Sequence, residues 1–121
     1  MPFDPATYDD QRELTRYVFR NYRHLFTELE WLAERAVVAE FKAQHASDNM
    51  AQMLRNKWSE AGNPEVAPLL ADGPDVFRSR VTNRIVSECS DELFVNRCAE
   101  CDSIVATPKA RQCLWCGHDW H

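Results

Sequence analysis

Residues 98–121, CAECDSIVATPKARQCLWCGHDWH, hold Cys98, Cys101, Cys113 and Cys116 as two Cys-x2-Cys pairs with eleven residues between them. Two thiolates separated by two residues can grip one ion from a tight turn whose amides point toward the sulfurs. Two such turns facing each other complete a tetrahedron, the geometry that zinc accepts from its filled d shell. The spacing therefore requires a chain that runs out from the first pair and back to the second.

The intervening DSIVATPKARQ is long enough for that return as a hairpin. Ile104 and Val105 suit a strand within Ser103–Thr107, and Pro108 fits the second position of a turn made by Thr107 to Ala110. Upstream, LFVNRC reads as a short strand entering the first pair. A left-handed residue is favoured just after the second cysteine of such a turn, and Asp102 and Gly117 stand at those places.

On these cysteines and turn residues, residues 93–121 resemble a zinc ribbon, a small hairpin-based module with two zinc knuckles. The resemblance implies one structural Zn2+ held by Cys98, Cys101, Cys113 and Cys116. It names no role, because zinc ribbons occur in transcription factors, ribosomal proteins, enzymes and adaptor proteins alike. Rubredoxins share a related pattern, which would make the site an iron electron carrier, but their two pairs lie much farther apart. His118 and His121 could each replace a cysteine, although four thiols already fill a structural zinc shell.

Burial alone would not hold so small a module together. In zinc-finger peptides the metal contributes about 10–16 kcal/mol of apparent folding free energy near neutral pH. Cysteine arithmetic agrees with metal, since five cysteines paired as disulfides would leave one over.

Residues 1–91 read as a helical domain and residues 92–121 as the ribbon, so the expected fold is mainly α: a small helical bundle followed by a zinc-ribbon β-hairpin. After an extended lead-in over residues 1–7, a first helix is expected from near Tyr8. It carries Leu14, Tyr17, Val18, Tyr22 and Leu25 on one face and Arg12, Arg16, Arg20 and Arg23 on the other. Asp9 and Glu13 lie within helical reach of Arg12 and Arg16, so the arginine stripe reads first as a solvated face and second as a binding surface.

Thr27 and Glu30 form the signature of a capping box and open a second helix running to about Gln44. Leu29, Leu32, Ala36, Ala39 and Ala43 share one face of it; Trp31, Val38 and Phe41 share another. A helix apolar on two sides is either sandwiched in the fold, the first expectation, or lends one side to a partner, including a second copy of the chain.

Ser47 or Asp48 suits the cap of a third helix with Met50, Met53, Leu54 and Trp58 on one face, ended by Gly62. Asn63 marks a short helical turn, and Pro74 opens a long helix in which Phe77, Val81, Ile85 and Cys89 repeat every four residues. Cys89 is expected as a buried free thiol.

Several function classes fall away. The net charge of −5 provides no overall basic field for nucleic acid or an anionic membrane. No uncharged run approaches a membrane span and the N-terminus lacks a secretory pattern, so a soluble cytoplasmic protein is expected. Three scattered glycines build no phosphate loop, and four thiolates leave no coordination position for a catalytic water, so an enzyme is not expected. A protein partner is the leading expectation. Nucleic acid is the alternative, through Arg97, Lys109 and Arg111 with Trp115 stacking on a base.

Overall fold

Side-chain caps open the first three α-helices. The computed structural model describes residues 3–58 and 63–121. Asp4 caps a 3-10 turn at Pro5–Thr7, and Asp9 accepts the Arg12 amide to begin helix α1, Asp10–Asn21. The helix starts later than expected because Tyr8 stays extended and the Asp9 carboxylate serves as the cap rather than as the partner of the Arg12 guanidinium.

A second 3-10 turn, Arg23–Leu25, leads to helix α2, Glu28–Gln44. Both halves of its capping box form: the Glu30 amide donates to Thr27 Oγ1 at 3.1 Å, and the Thr27 amide donates to Glu30 Oε1 at 2.9 Å. Helix α3, Asp48–Trp58, is capped by Ser47, whose Oγ accepts the Met50 amide at 3.4 Å. The side chain of Trp58 and the cap read at Gly62 lie outside the described residues.

Asn63 accepts the Glu65 amide ahead of a short α4, Val66–Leu70. Gly73, with φ of 96°, turns the chain into α5, Pro74–Glu88, with Pro74 at its first position. The described residues are mainly helical and contain no sheet; their β-type pairings are two isolated antiparallel bridges.

The chain divides into two compact units, Phe26–Val81 and a second one formed by Met1–Leu25 with Thr82–His121. In the first, α2 packs on α3 and α4. Ala33, Ala36, Ala39 and Ala43 of α2 and Ala51 of α3 are buried, and such small side chains let helix axes approach closely. Val66, Phe77 and Val81 complete its buried apolar set. Glu34 is also buried, and Arg78 neutralises it through two hydrogen bonds of 2.8 and 3.1 Å. Removing Arg78 would leave the buried Glu34 carboxylate uncompensated.

Two expectations for this unit are corrected. Only the alanine side of α2 is buried, whereas Trp31 and Phe41 on its other side are 41% and 64% exposed. On α3 the inward positions are Ala51 and half-buried Leu54, and Met50 and Met53 face solvent. The small Ala51 permits closer helix contact than either methionine would, which decides the rotation of α3 in favour of alanine.

In the second unit α1 buries Tyr17, Val18, Phe19 and Tyr22, while Leu14 and Leu25 are half-buried. The end of α5 contributes buried Thr82 and Ile85. It is tied to the N-terminal segment by Gln11 to Asn83 at 3.2 Å and by Arg84 to the Leu25 carbonyl at 2.9 Å. Cys89, just past α5, is a half-buried free thiol rather than a buried one.

Candidate metal centre

The two Cys-x2-Cys segments fold as near copies of each other. In the first, the Cys98 amide donates to the Ser103 carbonyl at 2.9 Å and the Asp102 amide to the Cys98 carbonyl at 2.8 Å. In the second, the Cys113 amide donates to the His118 carbonyl at 2.8 Å and the Gly117 amide to the Cys113 carbonyl at 2.9 Å. The residues after the second cysteines take the expected left-handed backbone, Asp102 at φ 63° and Gly117 at φ 83°. Each knuckle is closed by one antiparallel bridge, Arg97 with Ile104 and Gln112 with Asp119.

This arrangement brings the four sulfurs together, all within 4.8 Å of one another. The closest separations join opposite knuckles: Cys98 Sγ to Cys116 Sγ and Cys101 Sγ to Cys113 Sγ, each 3.6 Å. A disulfide needs about 2.05 Å, so these are free thiols. Four sulfurs at about 2.3 Å from one ion would stand about 3.8 Å apart, a spacing close to that of the two nearest pairs, so the cluster could hold one metal ion. Cys98 and Cys113 are buried, and Cys101 and Cys116 face solvent.

Burial pushes the Cys101 thiol up, but hydrogen bonds from Ser103 and from neighbouring cysteines outweigh it and bring the value down to about 7. The Cys116 thiol is drawn down by the His118 amide, yet local desolvation and its three sulfur neighbours carry it to about 12. Burial likewise raises Cys113. Sulfurs this close cannot all ionise on their own; a bound cation reverses that balance, because each thiolate then faces positive charge.

His118 and His121 stay out of the cluster. The metal-binding group found among the described residues is the four cysteines, and the His121 ring pairs instead with the Asp119 carboxylate. His118 lies against Trp120, ring centroids 5.5 Å apart.

A hairpin is not what joins the knuckles. The Pro108 turn forms, with the Ala110 amide donating to the Thr107 carbonyl at 3.2 Å, but each flanking segment makes only one bridge. The expected LFVNRC strand is reduced to the single bridge of Arg97 with Ile104, and the backbone groups before it have other partners. The Phe94 carbonyl accepts from both the Tyr17 and the Tyr22 hydroxyls, and the Phe94 amide donates back to Tyr22 at 3.2 Å. The Asn96 amide donates to the Tyr17 hydroxyl at 3.3 Å. Asn96 also ties down the loop between the knuckles, its side-chain amide donating to the carbonyls of Thr107 and Ala110 at 3.0 Å each.

Helix α1 and the segment before it thus frame the cysteine module. The Tyr8 hydroxyl accepts the Ile104 amide at 2.9 Å and donates to Asp10 at 2.6 Å. Asn21 donates to the Ala106 carbonyl at 3.0 Å, and Arg97 grips Asp10 through both terminal nitrogens. Burial raises the Tyr8 and Tyr17 phenols to about 12.

Trp115, expected on the surface, is 7% exposed. Phe3 and Tyr8 meet it edge-on, with centroids 5.4 and 5.1 Å away, and it packs with Cys98, Val105 and Cys113. Trp120 packs against this cluster as well. The sequence reading missed Tyr8, Asp10, Asn21 and Asn96. The available signal was the hydroxyl of each tyrosine in and beside α1, since a buried tyrosine hydroxyl requires a partner.

The arginine stripe is exposed and partly neutralised. Glu13 bridges Arg12 and Arg16 at 3.4 and 3.2 Å, and Arg23 caps the Phe19 carbonyl at 2.9 Å. Among the described residues, no helix is long and apolar enough to cross a membrane. Comparison with protein-family models, curated proteins and solved structures returned no match.

Proposed function

We propose that this chain is a non-enzymatic zinc protein that acts through protein contacts. Cys98, Cys101, Cys113 and Cys116 hold one structural Zn2+ in a two-knuckle, ribbon-like module. The observation that carries the reading is the convergence of the four sulfurs within 4.8 Å from two knuckles of matching backbone geometry. Zinc neutralises the thiolates and links the two loops; four protein ligands leave it no position for a reacting water. The module's own residues do the rest, as Asp102 and Gly117 set the knuckle turns and the α1 tyrosines hold the flanking backbone.

Protein is favoured over nucleic acid as the partner on two grounds. Trp115, the side chain best suited to stack on a base, is buried beneath Phe3 and Tyr8. Arg97 is committed to Asp10, which leaves Lys109 and Arg111 as the module's basic groups. X-ray absorption at the zinc edge of the purified protein tests the metal, with four sulfur neighbours at about 2.3 Å expected. A salt titration against mixed single-stranded DNA and RNA tests the partner class. A steep loss of affinity with salt would contradict the protein-contact reading.

A further inference from the structure

Within the unit Phe26–Val81, helix α2 presents an apolar side that the unit does not cover. Phe41 is 64% exposed and stands at a groove of about 900 Å³ whose walls include Val37, Val38, Leu70 and Pro74. Trp31 on the same helix and Met53 on α3 are exposed as well. A large aromatic beside an apolar groove on one surface is a projection next to a recess, the combination that a two-fold contact needs.

The charges at the groove select the occupant. Glu40 is paired with Arg55 at 3.0 Å and Arg78 with Glu34 at 2.8 Å, so these four groups cancel. Two further lining groups, Lys42 and Asp75, are exposed and have no ion-pair partner among the described residues. Counting buried Glu34, which does not line the groove but offsets Arg78, the charges at the groove cancel on a chain of net charge −5. A strongly acidic or basic partner finds no complementary field here. A second copy of the same face meets no net repulsion and offers the opposite charge to each free group.

We infer that a second copy of this chain docks on the α2 groove as a two-fold dimer. Phe41 of each protomer enters the groove of the other, and Lys42 of each pairs with Asp75 of its partner. An isologous contact makes every such pair twice, so reversing one charge introduces two repulsions.

Sedimentation equilibrium of the zinc-loaded full chain, from about 1 to about 200 µM, tests this directly. The wild type is expected to pass from one chain mass to two across the series. Phe41→Lys, at an exposed position that leaves the fold intact by circular dichroism, is expected to remain at one chain mass throughout. Lys42→Asp and Asp75→Lys are each expected to weaken dimerisation at least about tenfold, and the double reversal to restore it to within about threefold. A wild type that stays at one chain mass over the whole range overturns the inference. So does a dimer indifferent to Phe41→Lys, or a double reversal no tighter than the single ones.

Discussion

Arg97, one residue before the first cysteine, donates both terminal nitrogens to the carboxylate of Asp10 at 2.8 and 3.1 Å, across 87 positions of sequence. The pair joins the first turn of α1 to the mouth of the first knuckle. The same guanidinium also donates to the Asp102 carbonyl at 2.9 Å, just behind the left-handed turn. The start of α1 therefore bears directly on knuckle geometry.

The pair is partly exposed, so its contribution is modest, about 0.2–1 kcal/mol. Arg97 holds the Asp10 carboxyl below the usual carboxylate range, which means that its contribution is present at neutral pH and is lost only as pH falls through that lowered value. A double-mutant cycle of Asp10→Asn and Arg97→Gln at pH 7 should show a coupling of about 0.2–1 kcal/mol that shrinks in high salt. Strict additivity would contradict the contact.

Tyr17 serves two backbone groups, donating to the Phe94 carbonyl and accepting the Asn96 amide. Tyr17→Phe removes the hydroxyl and leaves the Asn96 amide without it, while the Phe94 carbonyl keeps Tyr22, at a cost of about 1–3 kcal/mol by chemical denaturation.

The alkaline titration carries the same information. Burial raises the Tyr8 and Tyr17 phenols to about 12, against a usual value near 10. Because the folded values are raised, this stabilisation is full below about pH 10 and disappears as pH rises through about 12. Near-ultraviolet phenolate absorbance should show late-titrating phenols, and Tyr8→Phe and Tyr17→Phe should each remove one. Unchanged late amplitude in both variants would contradict their burial.

The knuckle turns make a conformational prediction. Nothing lies within 4 Å of a Cβ built on Gly117, so the cost of Gly117→Ala is purely that of φ at 83°, about 1–2 kcal/mol. Metal affinity should fall about tenfold. Asp102→Gly, which relieves the same strain at φ 63°, should match or exceed the wild type.

Features fixed by near neighbours were legible in the residues themselves: the Thr27–Glu30 capping box, the Pro108 turn, and the left-handed places at Asp102 and Gly117. So were the four converging cysteines, because their spacing encodes the turn that brings each pair together. What could not be read depends on distant chain. The strand expected at LFVNRC yields to tyrosine hydroxyls some seventy residues earlier, which take the backbone groups a ladder would need. The burial of Trp115 could not be read because Phe3 and Tyr8, which cover it, lie at the opposite end of the sequence. Likewise, periodicity marked α2 as apolar on two sides without saying which side the unit would cover.

The central claim is that four thiolates hold one metal ion on which this end of the fold depends. Native mass spectrometry before and after chelation, with near-ultraviolet circular dichroism on the same samples, tests it most directly. One zinc per chain is expected, and its removal should abolish the Trp115 signal. Cys113→Ser, at a buried ligand position, should reproduce the chelated state. A chain that carries no metal and keeps the full Trp115 signal would contradict the account.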